Sequence, residues 1–262
     1  MQPDKENWLV SYPSDGNEVC FQMEDTSFWY RHRNRCILNA IRACEFDREF
    51  YDIGGGNGIT AKLLQDNGFD VTLVEPYETG VRNAEARGVR KTIHTTLEEF
   101  RPAGPLLKGI GFFDVLEHIE NDRMFLQQVH NLLAENGKLI LTVPAFQSLW
   151  SDNDVQLGHF RRYRTSQLET LLASCGFKVY YKTYFFSILW IPMWLLRVIP
   201  NIIGFRQKNT RQKKQAEHLS ARPFMSKLLQ LLLSWETGFI GKKKMIPFGT
   251  SCMMVAQKKS SQ

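Results

Sequence analysis

Cysteine is scarce in this chain of 262 residues: Cys20, Cys36, Cys44, Cys175 and Cys252 are an odd number, scattered, with no Cys-x-x-Cys pair. That pattern argues against a zinc ribbon and a disulfide framework and suits a reducing compartment. The first twenty residues lack the apolar core of a secretory signal, so the expected location is cytoplasmic. Acidic residues are nearly missing from one end only. Residues 201–262 carry 12 Lys and Arg against 2 Glu, while the first 200 carry 21 against 25. The formal charge of +6 is thus confined to the C-terminal quarter. A mildly acidic body argues against a general nucleic-acid binder, whereas the basic end suits either nucleic acid or an anionic membrane surface. With 43% hydrophobic residues, the chain can bury one sizeable core, so one domain over 1–262 with an insertion fits better than two.

The most informative stretch is Glu49-Phe50-Tyr51-Asp52-Ile53-Gly54-Gly55-Gly56-Asn57-Gly58. It reads as a short strand breaking into a glycine-rich turn, with a helix following from about Ile59. A second strand, Asp70–Val74, ends in Glu75, about 20 residues beyond the turn, where a carboxylate can accept hydrogen bonds from a ribose diol. The pair predicts a nucleoside-containing cofactor. Position 59 is Ile, where a dinucleotide fingerprint needs Gly or Ala, and no Gly-Lys-Ser/Thr follows to hold phosphates, so neither a nicotinamide site nor a P-loop is favoured.

Strand and helix then alternate: strands near 49–53, 70–75, 90–94, 108–113 and 138–143, with helices over 58–67, 78–87 and 121–135. A helix over 165–174 leads into a strand over 177–186, and the last strand covers 251–257. Such alternation makes an α/β doubly wound sheet whose ligands lie beyond the carboxyl ends of the strands. A helix over 27–46 precedes it, and residues 1–25 read as a loose polar lead-in. Between the last two strands, residues 187–249 form an apolar and basic insertion. Its first apolar run approaches membrane-spanning length, but prolines and Arg197 interrupt it. Both flanking strands return to one sheet, so it crosses a bilayer twice or not at all. Crossing would put Arg206, Lys208, Arg211, Lys213 and Lys214 on the far side, against the tendency of short basic loops to stay cytoplasmic. Two readings stay open: helices lying in the interface through residues 184–244, at the inner face of the membrane, or a helical cap over a pocket.

The glycine turn with Asp52 before it resembles the first motif of class I S-adenosylmethionine (SAM) methyltransferases. Asp114-Val115-Leu116-Glu117-His118-Ile119, Val143-Pro144-Ala145 and Gly158-His159-Phe160-Arg161-Arg162-Tyr163 make the resemblance more specific, to the type 11 group. Its relatives include the ubiquinone-biosynthesis O-methyltransferases and enzymes that modify bacterial cell-surface glycans and lipids. The resemblance implies a Rossmann-like, mostly parallel seven-stranded sheet with an antiparallel last strand, the insertion lying between the last two strands. It also implies SAM as cofactor, held by Asp52, Gly54, Gly56, Gly58, Glu75 and Asp114.

For the chemistry, His118 is the candidate general base, with Glu117 beside it, because a neutral imidazole can take a proton near physiological pH. The alternative is that both cap the next helix or line the cofactor. No Asn/Asp-Pro-Pro-aromatic motif, the mark of amine methylation on bases, is present, so a hydroxyl on a small or lipid-linked acceptor is favoured. His159, Arg161 and Arg162 are candidate acceptor contacts, unless one arginine pairs with Asp152 or Asp154 in a solvated loop. Arg31 and Arg35 could reach the cofactor carboxylate or lie on a wet face. By resemblance to enzymes with a Glu-x-x-Glu-His motif, Asp114, Glu117 and His118, with His159, could hold magnesium or manganese. The rival to an enzyme is a catalytically silent SAM-fold subunit that binds membrane or protein.

Overall fold

The structure, a computed structural model, describes residues 16–202 and 223–259. It opens with α1 (Gly16–Glu24) and α2 (Phe28–Ala43), then β1 (Glu49–Ile53), α3 (Ile59–Asp66), β2 (Asp70–Glu75), α4 (Glu78–Ala86) and β3 (Lys91–His94). Next come β4 (Leu107–Phe113), α5 (Asp122–Leu132), β5 (Leu133–Pro144), a short α6 (Asp152–Gln156), α7 (Thr165–Ser174) and β6 (Phe177–Phe185). The insertion supplies α8 (Ser187–Ile202) and α9 (Pro223–Gly241) before β7 (Ser251–Lys258) closes the fold.

The seven strands form one sheet in the order β3-β2-β1-β4-β5-β7-β6. Pairing is parallel from β3 across to β5, and β7 enters antiparallel between β5 and β6, with Leu139 opposite Ala256 and Thr183 opposite Met253. Central strands read as unbroken apolar runs because both faces are covered. Leu126, Val129, Leu168 and Leu172 of α5 and α7 pack in one cluster. Ile37, Ile41, Leu64 and Leu233 of α2, α3 and α9 pack in the other.

Two expectations shift. The polar lead-in is helical from Gly16 to Glu24, and the side chains it buries include Asn17 and Glu24, so no apolar stripe announces it. Helix α5 stops at Leu132, short of the expected 135, and β5 starts already at Leu133, with Asn136 at φ 61° inside it. Residues 1–15 and the basic Arg206, Lys208, Arg211, Lys213 and Lys214 lie outside the described residues.

A buried carboxylate ties the insertion to the body. Glu236 of α9 accepts from the Phe186 N–H at 2.9 Å, the Ser187 N–H at 2.7 Å and the Ser187 hydroxyl at 2.5 Å, and it pairs with His32 Nε2 of α2 at 2.7 Å. Burial pushes its pKa up, but the hydrogen bonds from His32 and Ser187 outweigh that and leave it below the usual carboxylate value. Among the described residues no helix is long and apolar enough to cross a membrane.

Candidate active site

Gly54 and Gly56 both take positive φ, 67° and 54°, at the end of β1. A Cβ on Gly56 would meet nothing nearer than Asn17 Oδ1 at 3.5 Å, so its bare face is open to a ligand. Gly58 differs: a Cβ there would lie 2.7 Å from that of Ala84, so it lets α3 and α4 approach. Glu75 ends β2 with Oε2 accepting from the Gly56 N–H at 2.9 Å and Oε1 from the Tyr77 N–H at 3.1 Å. Burial raises its pKa, opposed by these amides. Asp52 sits beneath the turn. It does not line the cavity, and its carboxylate faces Gly55. Burial lifts its pKa to about 7, with a smaller push from Glu75.

Gly54, Gly56 and Glu75 floor a cavity of about 510 Å³ beyond the carboxyl ends of β1, β2, β4 and β5. Gly54, Gly56, Glu75, Asp114, Glu117 and His118 line it, and Asn17, Cys20 and Met23 of α1 close one side. That helix is stapled on by Arg87, which pairs with Glu24 at 2.7 Å and donates to the Asn57 carbonyl at 2.6 Å. Asn57 Nδ2 in turn donates to the Asn17 carbonyl at 2.8 Å.

Asp114 leaves β4 at φ 59°, a costly conformation for a residue with a Cβ. Its carboxylate is gripped from both sides, by Arg33 Nη1 at 2.5 Å and by the Thr142 hydroxyl at 3.1 Å. Arg33 also donates to Thr60 Oγ1 at 3.0 Å and lies over the rings of Trp29 and Tyr30. Burial would lower its pKa, but Asp114, Tyr30 and Glu24 together raise it above the usual guanidinium value. Arg33, not Arg31 or Arg35, is the arginine of α2 that lines the cavity. Arg31 donates to the Asp25 and Thr26 carbonyls. The signal was available: Trp29, Arg33, Ile37 and Ile41 recur every four residues along the buried stripe.

On the far side, Glu117, His118 and His159 converge, each offering a ligand atom within 4.8 Å of the others. Asp114 is not part of this cluster. The two imidazoles meet edge to face, with centroids 4.8 Å apart. Burial, then the proximity of His159, pushes the His118 pKa down to about 3, although a hydrogen bond to the Gly158 backbone opposes this. Burial and the nearby Asp114 raise Glu117 well above a normal carboxylate. His159 Nδ1 lies 2.9 Å from Asp154 Oδ1, which also accepts from Arg162 Nε at 2.7 Å. Burial opposes ionisation of Asp154, but His159 and Arg162 prevail and hold it ionised. Arg162 is therefore engaged, and it donates to the Ala145 carbonyl as well. Arg161 pairs with Asp122 at 2.9 Å and does not line the cavity. Asp154, which the sequence offered as a partner for one of these arginines in a solvated loop, is instead fully buried and is the hub of this corner.

Residues 29–182 match the model of a family described as a methyltransferase domain. The chain belongs to that family. It is a class I SAM-dependent methyltransferase with the Rossmann-like fold and antiparallel β7 that the motifs led us to expect. Among curated relatives, the methyltransferase is 24% identical over 180 residues to a probable S-adenosylmethionine-dependent methyltransferase of Mycolicibacterium smegmatis, covering 67% of this chain and 70% of that one. It is 28% identical over 99 residues to a ubiquinone biosynthesis O-methyltransferase of Rickettsia canadensis, which covers 36% of this chain and 42% of that protein. Among solved structures, a Haemonchus contortus phosphoethanolamine N-methyltransferase superposes with a TM-score of 0.58 at 14% identity, over 96% of this chain and 59% of that one. The [4+2]-cyclase SpnF does so with the same score and identity, over 89% and 83%. Those two likenesses speak for the fold alone.

The methyltransferase's own residues fit its family's cofactor. The bare Gly56 face and the Glu75 carboxylate suit a ribose, the cavity volume suits a nucleoside-sized ligand, and Gly54 and Asp114 line its floor.

Proposed function

We propose that this methyltransferase acts on a hydroxyl of an amphipathic small or lipid-linked acceptor, with His159 as general base. When bound, SAM supplies an electrophilic methyl on a cationic sulfonium. Glu75 and the glycine turn would hold its nucleoside, with Asp114 fixed nearby by Arg33 and Thr142. The observation that carries the reading is the 2.9 Å contact between His159 Nδ1 and Asp154. An ionised carboxylate there fixes the tautomer, leaves Nε2 as the proton acceptor, and stabilises the imidazolium that forms. Arg162 keeps Asp154 in place.

Sequence reasoning put the proton on His118. Its depressed pKa makes that ring neutral but a weak base, better suited to packing against His159 and bounding the acceptor site. Glu117, whose carboxyl burial pushes toward the protonated form, can donate a hydrogen bond to an acceptor oxygen in that form. Leu189 and Met193 of α8 add an apolar wall to the cavity, which supports an acceptor with a greasy portion. That the Rickettsia canadensis relative is an O-methyltransferase supports oxygen as the nucleophile. Mass spectrometry of products from labelled SAM and a membrane-lipid and glycan extract tests this. We expect a methyl ether product, with turnover falling roughly 100-fold or more in His159→Ala and Asp154→Asn while S-adenosylhomocysteine affinity stays unchanged. Methylation of an amine, or full activity in both variants, overturns it.

The convergence of Glu117, His118 and His159 supports a second reading, in which these three hold a divalent cation that orients the acceptor oxygen. Activity that survives complete chelation rules that out.

A further inference from the structure

Helix α9 has two apolar faces, and among the described residues only one is covered. Leu233, Glu236 and Ile240 point inward and are buried. Leu231, Leu232, Trp235 and Phe239 occupy an arc of about 100° on the helical wheel, and they are 70%, 43%, 41% and 40% exposed. Trp235 and Phe239 pack edge to face at 5.0 Å, so the exposed face is preorganised. Where the helix ends, Lys242, Lys243 and Lys244 follow in sequence, all exposed. The Lys244 ammonium lies 5.5 Å from the Phe239 ring centroid, so the cationic cluster and the apolar face form one continuous surface. Complementing the helix dipole would explain basic residues at this end. It would not explain four large apolar side chains exposed on the adjoining face.

We propose that this surface docks on an anionic lipid bilayer, with Leu231, Leu232, Trp235 and Phe239 entering the interface and Lys242–Lys244 meeting the headgroups. An amphipathic helix lies in the interface when its apolar face and its cations can both be satisfied at once. A second copy of the chain is a poorer occupant, because it would cover the apolar face while giving the adjoining lysine triplet no anionic partner. The inference extends the reading of an amphipathic acceptor: α8, through Leu189 and Met193, walls the cavity and neighbours α9 in the same insertion, so docking would bring the cavity close to the lipid phase.

The test is sedimentation of the full chain with vesicles of phosphatidylcholine alone or with phosphatidylglycerol. We expect binding to the anionic vesicles that weakens with salt. Replacing Lys242, Lys243 and Lys244 by Gln should weaken it roughly 100-fold, at about fivefold per lysine. Trp235→Ser with Phe239→Ser should abolish it. Unchanged S-adenosylhomocysteine affinity in each variant shows that the fold is intact. No binding to anionic vesicles, or binding unaffected by both variants, overturns the proposal. So does a dimer in lipid-free buffer that the Trp235/Phe239 variant dissociates without any vesicle binding. The assay uses neither acceptor nor turnover, so a wrong acceptor class would leave its result standing.

Discussion

Single side chains in this methyltransferase are set by who grips them. Glu75 could be found from spacing because the interval from the glycine turn to the end of the next strand is local geometry. Arg33 was missed although its spacing from Trp29, Ile37 and Ile41 places it on the buried stripe of α2, while Arg31 and Arg35 lie off that stripe and are exposed. Adjacent Arg161 and Arg162 split in the same way, one to Asp122 and the other to Asp154. Asp52 yields a pH prediction. Its folded pKa of about 7 lies above the unfolded value, so the native state keeps a proton that the unfolded chain releases. Stability from this group therefore falls as pH rises from about 4 to about 7 and is level above that. Asp52→Asn should raise the melting temperature more at pH 8 than at pH 5, by roughly 5 °C. An equal change at both pH values would contradict the assignment. For Arg33→Ala, loss of the Asp114 clamp should weaken S-adenosylhomocysteine binding about tenfold, read by calorimetry; unchanged affinity would leave the clamp without a role at the site.

Elements with a clear period were legible, and those without one were not. Helix α7 and strand β1 fall where their apolar spacing puts them, whereas α1 docks through Asn17, Glu24 and Arg87, a polar contact that hydrophobic periodicity cannot register. The strand ends around the site share a feature: Asp114, Phe146 and Phe186 all adopt positive φ. At Phe186 the strained turn is held by Glu236, an interaction across 50 residues that no local pattern reveals. Glu236→Ala should leave the Phe186 and Ser187 amides and His32 without their acceptor, costing about 2–4 kcal/mol. Thermal unfolding should show this as a loss of several degrees, and hydrogen exchange should quicken at Phe186 and Ser187. Exchange confined to α8, with stability unchanged, would mean the carboxylate does not clasp the insertion.

Across the whole molecule, the order of the parallel strands follows from alternation and right-handed crossovers. The entry of β7 between β5 and β6 does not, since β7 follows β6 only after a long insertion, and family resemblance supplied only its antiparallel direction. The same insertion gives the enzyme an apolar cavity wall through α8 and an exposed apolar face on α9 that adjoins Lys242–Lys244. All of this depends on the cavity beyond β1 and β2 holding a nucleoside through one carboxylate and an open glycine turn. Titration calorimetry of S-adenosylhomocysteine into the wild-type chain and Glu75→Ala tests that most directly. The account predicts one-to-one binding to the wild type and at least roughly tenfold weaker binding to the folded variant, consistent with loss of charge-assisted hydrogen bonds. Equal affinity in the two, or no heat from well-folded wild-type protein, would contradict it.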